Sequence, residues 1–311
     1  PTTTTCQSSP TGGRGSTIDS RKITQYQHAC GFTREDLTHI VDPMARNGLD
    51  PVFSMGNDAP LAVLSGFRPN TFSYLKQRFA QVTNPPIDPL REALVMSLDV
   101  RMGPRTSLLS EEPAAAHLLH LQSPVLREPD LQTIMGLPDP AFRSAKVDIT
   151  FPVASGDGAL GSTLDTVCRN AVDAVESGAH ILVLTDEAIG PERAPIPIVM
   201  ATGAVHNALI TAGCRMRADL IAATGQVWDV HHFCALLGYG ASAVYPWLAF
   251  QSVRALATSD NHEDRSFEDN FVSTVESGIR KVMSKMGIST LSSYHGAQIF
   301  EAIGLATEVI D

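Results

Sequence analysis

The sequence predicts an α/β fold whose second half is a regular series of strand–helix units. From residue 146 onward, four short apolar runs are typical of buried strands: "KVDITFPV", "ILVLTD", "ADLIAAT" and "ASAVYP". Helical patterns lie between them at about 162–178, 197–212 and 230–238, and another follows at about 247–257. Alternation at this spacing indicates a parallel sheet. Four units make half of a (β/α)8 barrel or most of a doubly wound sheet, and the pattern leaves both open.

Residues 21–145 are predicted to be mixed and mainly helical. In "NTFSYLKQRFAQV", Asn70 is placed as an N-cap and apolar residues recur at helical intervals, namely Phe72, Leu75, Phe79 and Val82. After the break "TNPPIDP", the stretch "LREALVMSL" resumes a helix, with Asp88 as N-cap and Pro89 at the first helical position. Residues 262–280 are polar and helical, and the last stretch predicts a strand or tight loop after Met286 and then a helix.

Composition narrows the class of protein. The 311 residues are 43% hydrophobic and 18% charged, which is ordinary for a globular chain, and the net charge is −10 without a basic stripe. That balance argues against a nucleic-acid partner. No apolar run approaches the roughly 18 residues needed to cross a membrane, and no leader-like segment opens the sequence. Five scattered cysteines without a C-x-x-C pair argue against a disulfide framework or a metal ligand set. We therefore expect a cytoplasmic protein with no membrane contact.

The stretch "SGDGALGST" contains Gly156, Gly158 and Gly161 in the spacing of a dinucleotide-binding fingerprint. In such a site the first glycine ends the strand and the helix begins at about the second. Here several residues separate the apolar run from the motif, and Ser162 with Asp165 predicts a capping box that starts the helix after Gly161. The sequence therefore favours a long glycine-rich loop over a phosphate site.

Other candidate residues allow two interpretations. Asp186 ends a predicted strand, where α/β enzymes place functional side chains, but it is equally suited to cap a loop or to pair with Arg193. His117 and His120 are spaced i, i+3 on a predicted helix without a third ligand nearby. His231 and His232 are adjacent and point about 100° apart on a helix, so they do not share a metal. An alternative hypothesis is a free-standing α/β-barrel enzyme with Asp186, Arg193 and His231 at the strand ends.

The stretch "QVTNPPIDPLRE" predicts an inflexible loop. Pro85 and Pro86 fix φ and remove two N–H donors, and Asn84 is restricted to an extended conformation. Thr83 and Asn84 offer polar groups and Ile87 an apolar one. From the residues alone, this is a stiff linker that ends at the Asp88 cap.

Several co-linear motifs resemble the glutamate synthase large subunit: "SMGNDAPLAVLS" (54–65), "RFAQVTNPPIDPLREALVMSL" (78–98) and "KVMSKMGISTLSSYHGAQIFEAIGL" (281–305). The segments "AHILVLTDEAI", "PIPIVMATGAVHNALI" and "HHFCALLGYGASAVYPWLAF" match in the same order, so the resemblance runs from about Ile23 to Leu305. It implies an incomplete or degenerate (β/α) barrel of the FMN-linked oxidoreductase type. The implied division is a loop-like tract at 1–22, the central domain at 23–280, and the start of the FMN-binding region at 281–311.

The resemblance also implies roles for individual residues. Thr83, Asn84 and Ile87 would line a passage that carries ammonia from the amidotransferase site to the flavin site, with Pro85 and Pro86 as stiffeners. Lys285 and Ser289 would lie beside the flavin and 2-oxoglutarate, and Met55 and Gly56 would close over the flavin. His295 stands where many members carry arginine.

The same resemblance implies cofactors and partners. The parent enzyme uses FMN and an iron–sulfur cluster, and its partners are the amidotransferase and FMN-binding domains together with ferredoxin or a small reductase subunit. The family's N-terminal cysteine nucleophile and its cluster cysteines have no match in this sequence. We therefore expect this chain to bind no cofactor tightly and to be inactive alone.

Overall fold

Four parallel strands form the central sheet and lie side by side in the order in which they occur in the chain. They are β1 (Ser144–Asp148), β2 (Ile181–Thr185), β3 (Asp219–Ala223) and β4 (Ala243–Tyr245). A doubly wound sheet reverses its strand order at a switch point, and this sheet does not. The computed structural model, which describes residues 4–5, 20–52, 59–66, 69–78, 87–107, 109, 111–156, 158–259 and 264–310, therefore shows half of a (β/α) barrel.

The helices that follow the strands confirm the predicted alternation. They are α1 (Ala159–Glu176), α2 (Ile198–Thr211), α3 (Val230–Gly238) and α4 (Trp247–Ser259), and a longer α5 (Asp264–Lys285) follows. Every residue of β2, β3 and β4 is buried, as expected for strands covered on both faces. In β1 only Val147 is buried, because this strand lies at the edge of the sheet.

The half-barrel is not closed. Beside β4, Val125 forms a parallel bridge with Val244, the Leu126 N–H donates to the Val244 carbonyl at 2.9 Å, and the Val244 N–H donates to the Pro124 carbonyl at 2.7 Å. A short piece of the preceding chain thus covers that edge. At the other edge, β1 pairs only with β2 within the part of the chain that the structure describes.

The N-terminal part packs on the carboxyl ends of these strands. It contains the helices Ser20–Cys30, Arg34–Asp36 and Asp42–Asn47, with a π-helical turn at Leu37–Val41. The Tyr26 ring meets Trp247 edge-on, with centroids 5.6 Å apart, and Phe32 lies 4.0 Å from Trp228. These aromatic contacts fix the helical part on the half-barrel.

The described residues also contain three small sheets. Thr4–Thr5, Leu119–Leu121 and Val100–Met102 form one; Leu75–Gln77 and Phe300–Ala302 form another; and Thr150–Pro152 and Arg193–Pro195 form the third. Short helical segments occur at Thr71–Tyr74, Pro89–Arg91, Glu92–Val95, Pro113–Ala116, Glu128–Met135, Pro140–Phe142, Val153–Ser155, Arg215–Arg217, Leu291–Tyr294 and Thr307–Ile310. No helix within the described ranges has the length and apolar character that crossing a bilayer requires.

The predicted helix over residues 71–82 is wrong. Asn70 does accept from the Ser73 N–H at 3.2 Å, but the turn that it caps ends at Tyr74. The chain then continues as the strand Leu75–Gln77, antiparallel to Phe300–Ala302, and residues 79–86 lie outside the described ranges. A strand partner from the far end of the chain overrides the local helical spacing.

Two other predictions for this half change. His117 and His120 do not share a helix, since His117 follows the turn Pro113–Ala116 and His120 belongs to the strand Leu119–Leu121. The Asp88 cap is confirmed, because its side chain accepts from the Leu90 N–H at 3.0 Å, but the helix ends at Val95. After Met286 a tight loop and a four-residue helix occur as expected, and a strand that was not predicted follows.

Candidate functional site

The segment 87–97 is attached along residues 281–290, and we call this contact the junction. The Ile87 N–H donates to the Ser284 carbonyl at 2.9 Å, and the Ser97 N–H donates to the Ser289 carbonyl at 2.8 Å. Ser97 also forms a parallel bridge with Thr290. The two ends of the segment are therefore held by backbone hydrogen bonds to the end of α5 and to the loop after it.

A partly buried ion pair fixes the middle of the junction. The Glu92 carboxylate accepts from Lys281 Nζ at 3.0 Å and from Ser284 Oγ at 2.7 Å, and its side chain is only 16% exposed. Sequence reasoning missed this contact. A carboxylate beside the apolar run "ALVM" was the available signal, because an acid on the inward side of a short helix requires a partner.

Lys285 is the last residue of α5 and lies in the same region. Burial lowers the pKa of Lys285, and the nearby Lys281 lowers it further, whereas Asp50 and Glu92 oppose the shift. Two cations in the last turns of a helix suit the negative end of its dipole.

The structure brings together three of the residues singled out from the sequence. Ile87 is half-buried against the core and Ser289 is exposed, and both lie at the junction with Lys285. Thr83, Asn84, Pro85 and Pro86 lie outside the described residues. So do Met55 and Gly56.

At the carboxyl end of the half-barrel, Asp186 is fully buried and accepts from four groups. These are Trp247 Nε1 at 2.7 Å, Thr224 Oγ1 at 2.6 Å, the Gly225 N–H at 3.0 Å and Gln226 Nε2 at 3.1 Å. Burial raises the pKa of Asp186, and the hydrogen bonds to Thr224, Trp247, Gln226 and Gly225 oppose that rise. The side chain joins the ends of β2 and β3 to α4 and has a structural role.

The space around this carboxylate does not fit a flavin phosphate. A Cβ added at Gly225 would lie 2.8 Å from Cys30 Sγ and 2.9 Å from Trp247 Cζ2, so protein atoms already fill the approach to the strand end. The buried carboxylate would also repel a phosphate. Side chains of the N-terminal helix and of α4 therefore occupy the place where barrel enzymes hold their ligands.

Asp186, Arg193 and His231 do not converge. Arg193 donates from Nη2 to Asp148 at 2.9 Å and from Nε to Thr150 Oγ1 at 2.7 Å, so its predicted pairing with Asp186 is wrong. His231 Nε2 lies 3.0 Å from the Phe72 carbonyl oxygen. Three residues committed to three different partners do not form a catalytic group, and the free-standing enzyme is not favoured.

The glycine motif is only partly the predicted loop, because Gly156 and Gly158 precede α1 whereas Gly161 lies inside it. Gly156 and Gly158 have φ of 70° and 92°, a conformation that glycine adopts readily. Gly158 is the N-cap of α1, and Ser162 lies inside the helix with Oγ bonded to the Ala159 carbonyl, so the predicted capping box is wrong. A short antiparallel strand and a turn separate β1 from the motif. A Cβ added at Gly161 would meet nothing within 4 Å, so this glycine does not serve close helix–sheet packing.

The histidines have structural surroundings. His117 Nε2 lies 2.8 Å from Asp139 Oδ2, and His120 lies 3.5 Å from Asp99. Both His231 and His232 are buried, and the His232 ring stacks on Phe72 with centroids 4.4 Å apart. Across the ranges that the structure describes, no three His, Cys, Asp or Glu side chains are grouped to hold a metal ion.

His295 lies near the amino end of β3, away from the carboxyl ends of the strands. Burial lowers the pKa of His295 to about 4, which Asp219 opposes and which Arg215 and Arg105 reinforce. Asp219 itself accepts from the Gly103 N–H at 2.8 Å and from Arg105 Nη1 at 3.1 Å. His295 is thus a neutral side chain beside an arginine pair.

Comparisons with known proteins agree with the motifs. The family described as "Glutamate synthase central domain" matches residues 25–306. Ferredoxin-dependent glutamate synthase 2 of Synechocystis sp. is 44% identical over 310 residues, covering 94% of this chain and 20% of that protein. The chloroplastic enzyme of Oryza sativa is 43% identical, covering 94% and 19%. "Glutamate synthase [NADH]" of Saccharomyces cerevisiae is 41% identical over 295 residues, covering 91% and 14%.

Among solved structures, a mutant flavocytochrome b2 with benzoylformate matches with a TM-score of 0.37 and 12% identity, over 46% of this chain and 36% of that one. The chain spans a fifth or less of the length of the three curated relatives above. On the family match and these identities, the chain belongs to the glutamate synthase central domain family.

Proposed function

We propose that this chain is the scaffold of a glutamate synthase and forms a wall of its ammonia passage. The whole enzyme would convert glutamine, 2-oxoglutarate and two reducing equivalents to two molecules of glutamate. The observation that carries the proposal is the junction, because the Ile87 N–H is bonded to the carbonyl of Ser284, the residue before Lys285. The chain by itself would carry out no catalytic step.

The passage would need walls that hold their shape and exclude water. Ammonia in neutral water is protonated and then has no lone pair for attack, so transfer has to avoid bulk solvent. Thr83, Asn84 and Ile87 would line the route, and Pro85 and Pro86 would stiffen it. The hydrogen bond at Ile87 supports this role, since it fixes the end of the double-proline segment on α5.

Lys285 and Ser289 would lie on the side of the passage that faces the flavin and 2-oxoglutarate, and Met55 and Gly56 would lie nearby. Lys285 would supply a fixed positive charge beside the carboxylates of 2-oxoglutarate. FMN and the iron–sulfur cluster would be held by other parts of the polypeptide, because the strand ends here are filled by Trp247 and Cys30.

We further propose that residues 1–22 precede the central domain, that residues 23–280 form it, and that residues 281–311 begin the FMN-binding region. The amidotransferase and FMN-binding domains would be its partners within one polypeptide. The electron donor would be ferredoxin or a reductase subunit. Ferredoxin is named for the cyanobacterial and rice relatives, and NADH for the yeast relative. We propose a cytoplasmic location.

The test uses the synthase polypeptide that contains this chain, with Ile87→Ala to widen the passage and Ile87→Phe to narrow it. The readout is free ammonia released per glutamate formed from glutamine. Both variants are expected to raise that ratio severalfold, because ammonia would escape before it reaches 2-oxoglutarate. Ile210→Ala is the matched control, since Ile210 is 53% exposed on α2. An unchanged ratio in both Ile87 variants would refute the passage.

A further inference from the structure

The short helix of the junction turns its apolar side to solvent. Leu90 and Leu94 are 93% and 86% exposed, and Val95 is 42% exposed. Leu90 lies in the 3-10 turn Pro89–Arg91 and Leu94 in the α-helical turn Glu92–Val95 that follows, and the two leucines together form an exposed apolar face. Glu92 points the other way, into its contacts with Lys281 and Ser284. A surface helix normally has the opposite arrangement, with its apolar side inward.

The contacts to α5 hold this orientation in place. Turning the leucines inward would break both hydrogen bonds of Glu92 and separate its carboxylate from Lys281. Burying one leucine side chain stabilises by about 1.5–3 kcal/mol. Burial of Leu90 and Leu94 against a partner would therefore contribute favourably to association.

We propose that the Leu90–Leu94 face is a docking surface for the rest of the synthase polypeptide. Two observations identify the occupant. The matched family is a central domain, and the chain spans a fifth or less of its relatives, so most of such an enzyme lies outside these residues. The face is also continuous with the junction, where Ile87 and Lys285 lie. The proposal rests on the proposed function only in taking that longer polypeptide as the partner, and it requires apolar side chains on the partner's surface.

The test is hydroxyl-radical footprinting of two samples, the 311-residue chain and the synthase polypeptide that contains it. Leu90 and Leu94 are expected to be oxidised readily in the chain alone and at least fivefold less in the whole polypeptide. Leu184, which is fully buried, should stay unlabelled in both samples and reports that the fold is intact. Equal labelling of the two leucines in both samples overturns the proposal. Protection that grows with the concentration of the chain alone also overturns it, because the occupant would then be a second copy.

A pair of variants gives a second readout. L90S/L94S in the whole polypeptide is expected to raise cleavage by a protease at the domain boundaries severalfold, whereas L109S, at a leucine that is 96% exposed, serves as the reference. Cleavage of the double variant at the rate of the unsubstituted enzyme counts against the proposal. Footprint protection together with unchanged ammonia release in the Ile87 variants would retain docking and reject the passage. Equal labelling of the two leucines together with raised ammonia release in the Ile87 variants would reject docking and retain the passage.

Discussion

Replacing Asp186 by alanine removes the acceptor that four buried groups share. Gln226 Nε2 keeps a second acceptor, the Ile196 carbonyl at 3.0 Å, and the hydroxyl of Thr224 still accepts from the Gln226 N–H at 3.0 Å. The Gly225 N–H and the Trp247 indole N–H have no other acceptor among the described residues. The Thr224 hydroxyl also loses the acceptor of its own proton, so the substitution leaves three donors without an acceptor.

Each buried unsatisfied donor costs about 1–3 kcal/mol, so Asp186→Ala, with three such donors, is expected to lower the free energy of unfolding by about 6 kcal/mol. Asp186→Asn keeps the volume and one oxygen for Trp247 and Gly225. Its amide nitrogen then faces two groups that donate to the carboxylate of the unsubstituted chain, Gln226 Nε2 and the Thr224 hydroxyl. The hydroxyl can rotate and accept, so one conflict remains and the expected loss is about 2 kcal/mol. The free energy of unfolding is therefore expected to rise from the alanine variant to the asparagine variant to the unsubstituted chain, because each side chain in that order satisfies more donors.

Urea unfolding followed by tryptophan fluorescence measures these differences. The sequence contains two tryptophans, Trp228 and Trp247, both buried, and Trp247 belongs to the network itself. Glu187→Ala is the control, since Glu187 pairs with Lys146 at 3.2 Å where both side chains are more than 40% exposed. An exposed pair of this kind contributes less than about 1 kcal/mol. If Asp186→Ala falls within 1 kcal/mol of the unsubstituted chain, the network does not hold the strand ends and the reasoning fails.

Two further predictions concern stability. Burial lowers the pKa of His232 and His295 to about 4 each, so the unfolded chain, with histidine near 6.5, binds more protons between these pH values. The contribution of these histidines to the free energy of unfolding is therefore fully present above about pH 6.5. It falls as the pH drops towards 4, by up to about 1.4 kcal/mol per pH unit for each histidine. Urea midpoints at pH 7.0, 5.5 and 4.5 measure this change, and equal midpoints at the three pH values would contradict the prediction. Gln77→Leu is expected to raise the free energy of unfolding by about 1 kcal/mol, because neither atom of this buried amide has a hydrogen-bond partner among the described residues. Gln27→Leu is the control and is expected to lower the free energy of unfolding, because Gln27 Nε2 donates to Ser252 Oγ at 2.8 Å. A lower free energy of unfolding in both variants would show that the Gln77 amide is hydrogen-bonded.

The half-barrel could be predicted from the sequence because its signals are local. β2 and β3 are continuous apolar runs, and the helices between them carry their own periodicity, so predicted and observed ends differ by only a few residues. The start of α1 was misplaced because Ser162 resembles a cap, whereas Gly158 reaches the left-handed conformation that begins the helix. The local sequence does not distinguish Gly158 from Ser162 as the N-cap, because the position of the cap depends on the path of the loop from the sheet to the helix.

The candidate site could not be predicted from spacing alone. Glu92 and Lys281 are 189 residues apart in the chain, and no periodicity links them. Ile87 and Lys285 were singled out together only through resemblance to a family. Asp186 was placed at a strand end from the sequence, but its four donors come from two separate segments, residues 224–226 and Trp247. Contacts between distant segments are set by the assembled fold, which a single sequence does not display.

Both edges of the four-stranded sheet are protected from pairing with the strands of a second molecule. The edge strand β1 carries exposed charged side chains, with Lys146 paired to Glu187 and Asp148 paired to Arg193. Charged side chains on an edge strand disfavour hydrogen bonding of its backbone to a strand of another molecule. On the opposite rim the Pro124–Leu126 strip already occupies the hydrogen-bonding groups of Val244. Pairing of two copies edge to edge into one eight-stranded barrel is therefore not expected.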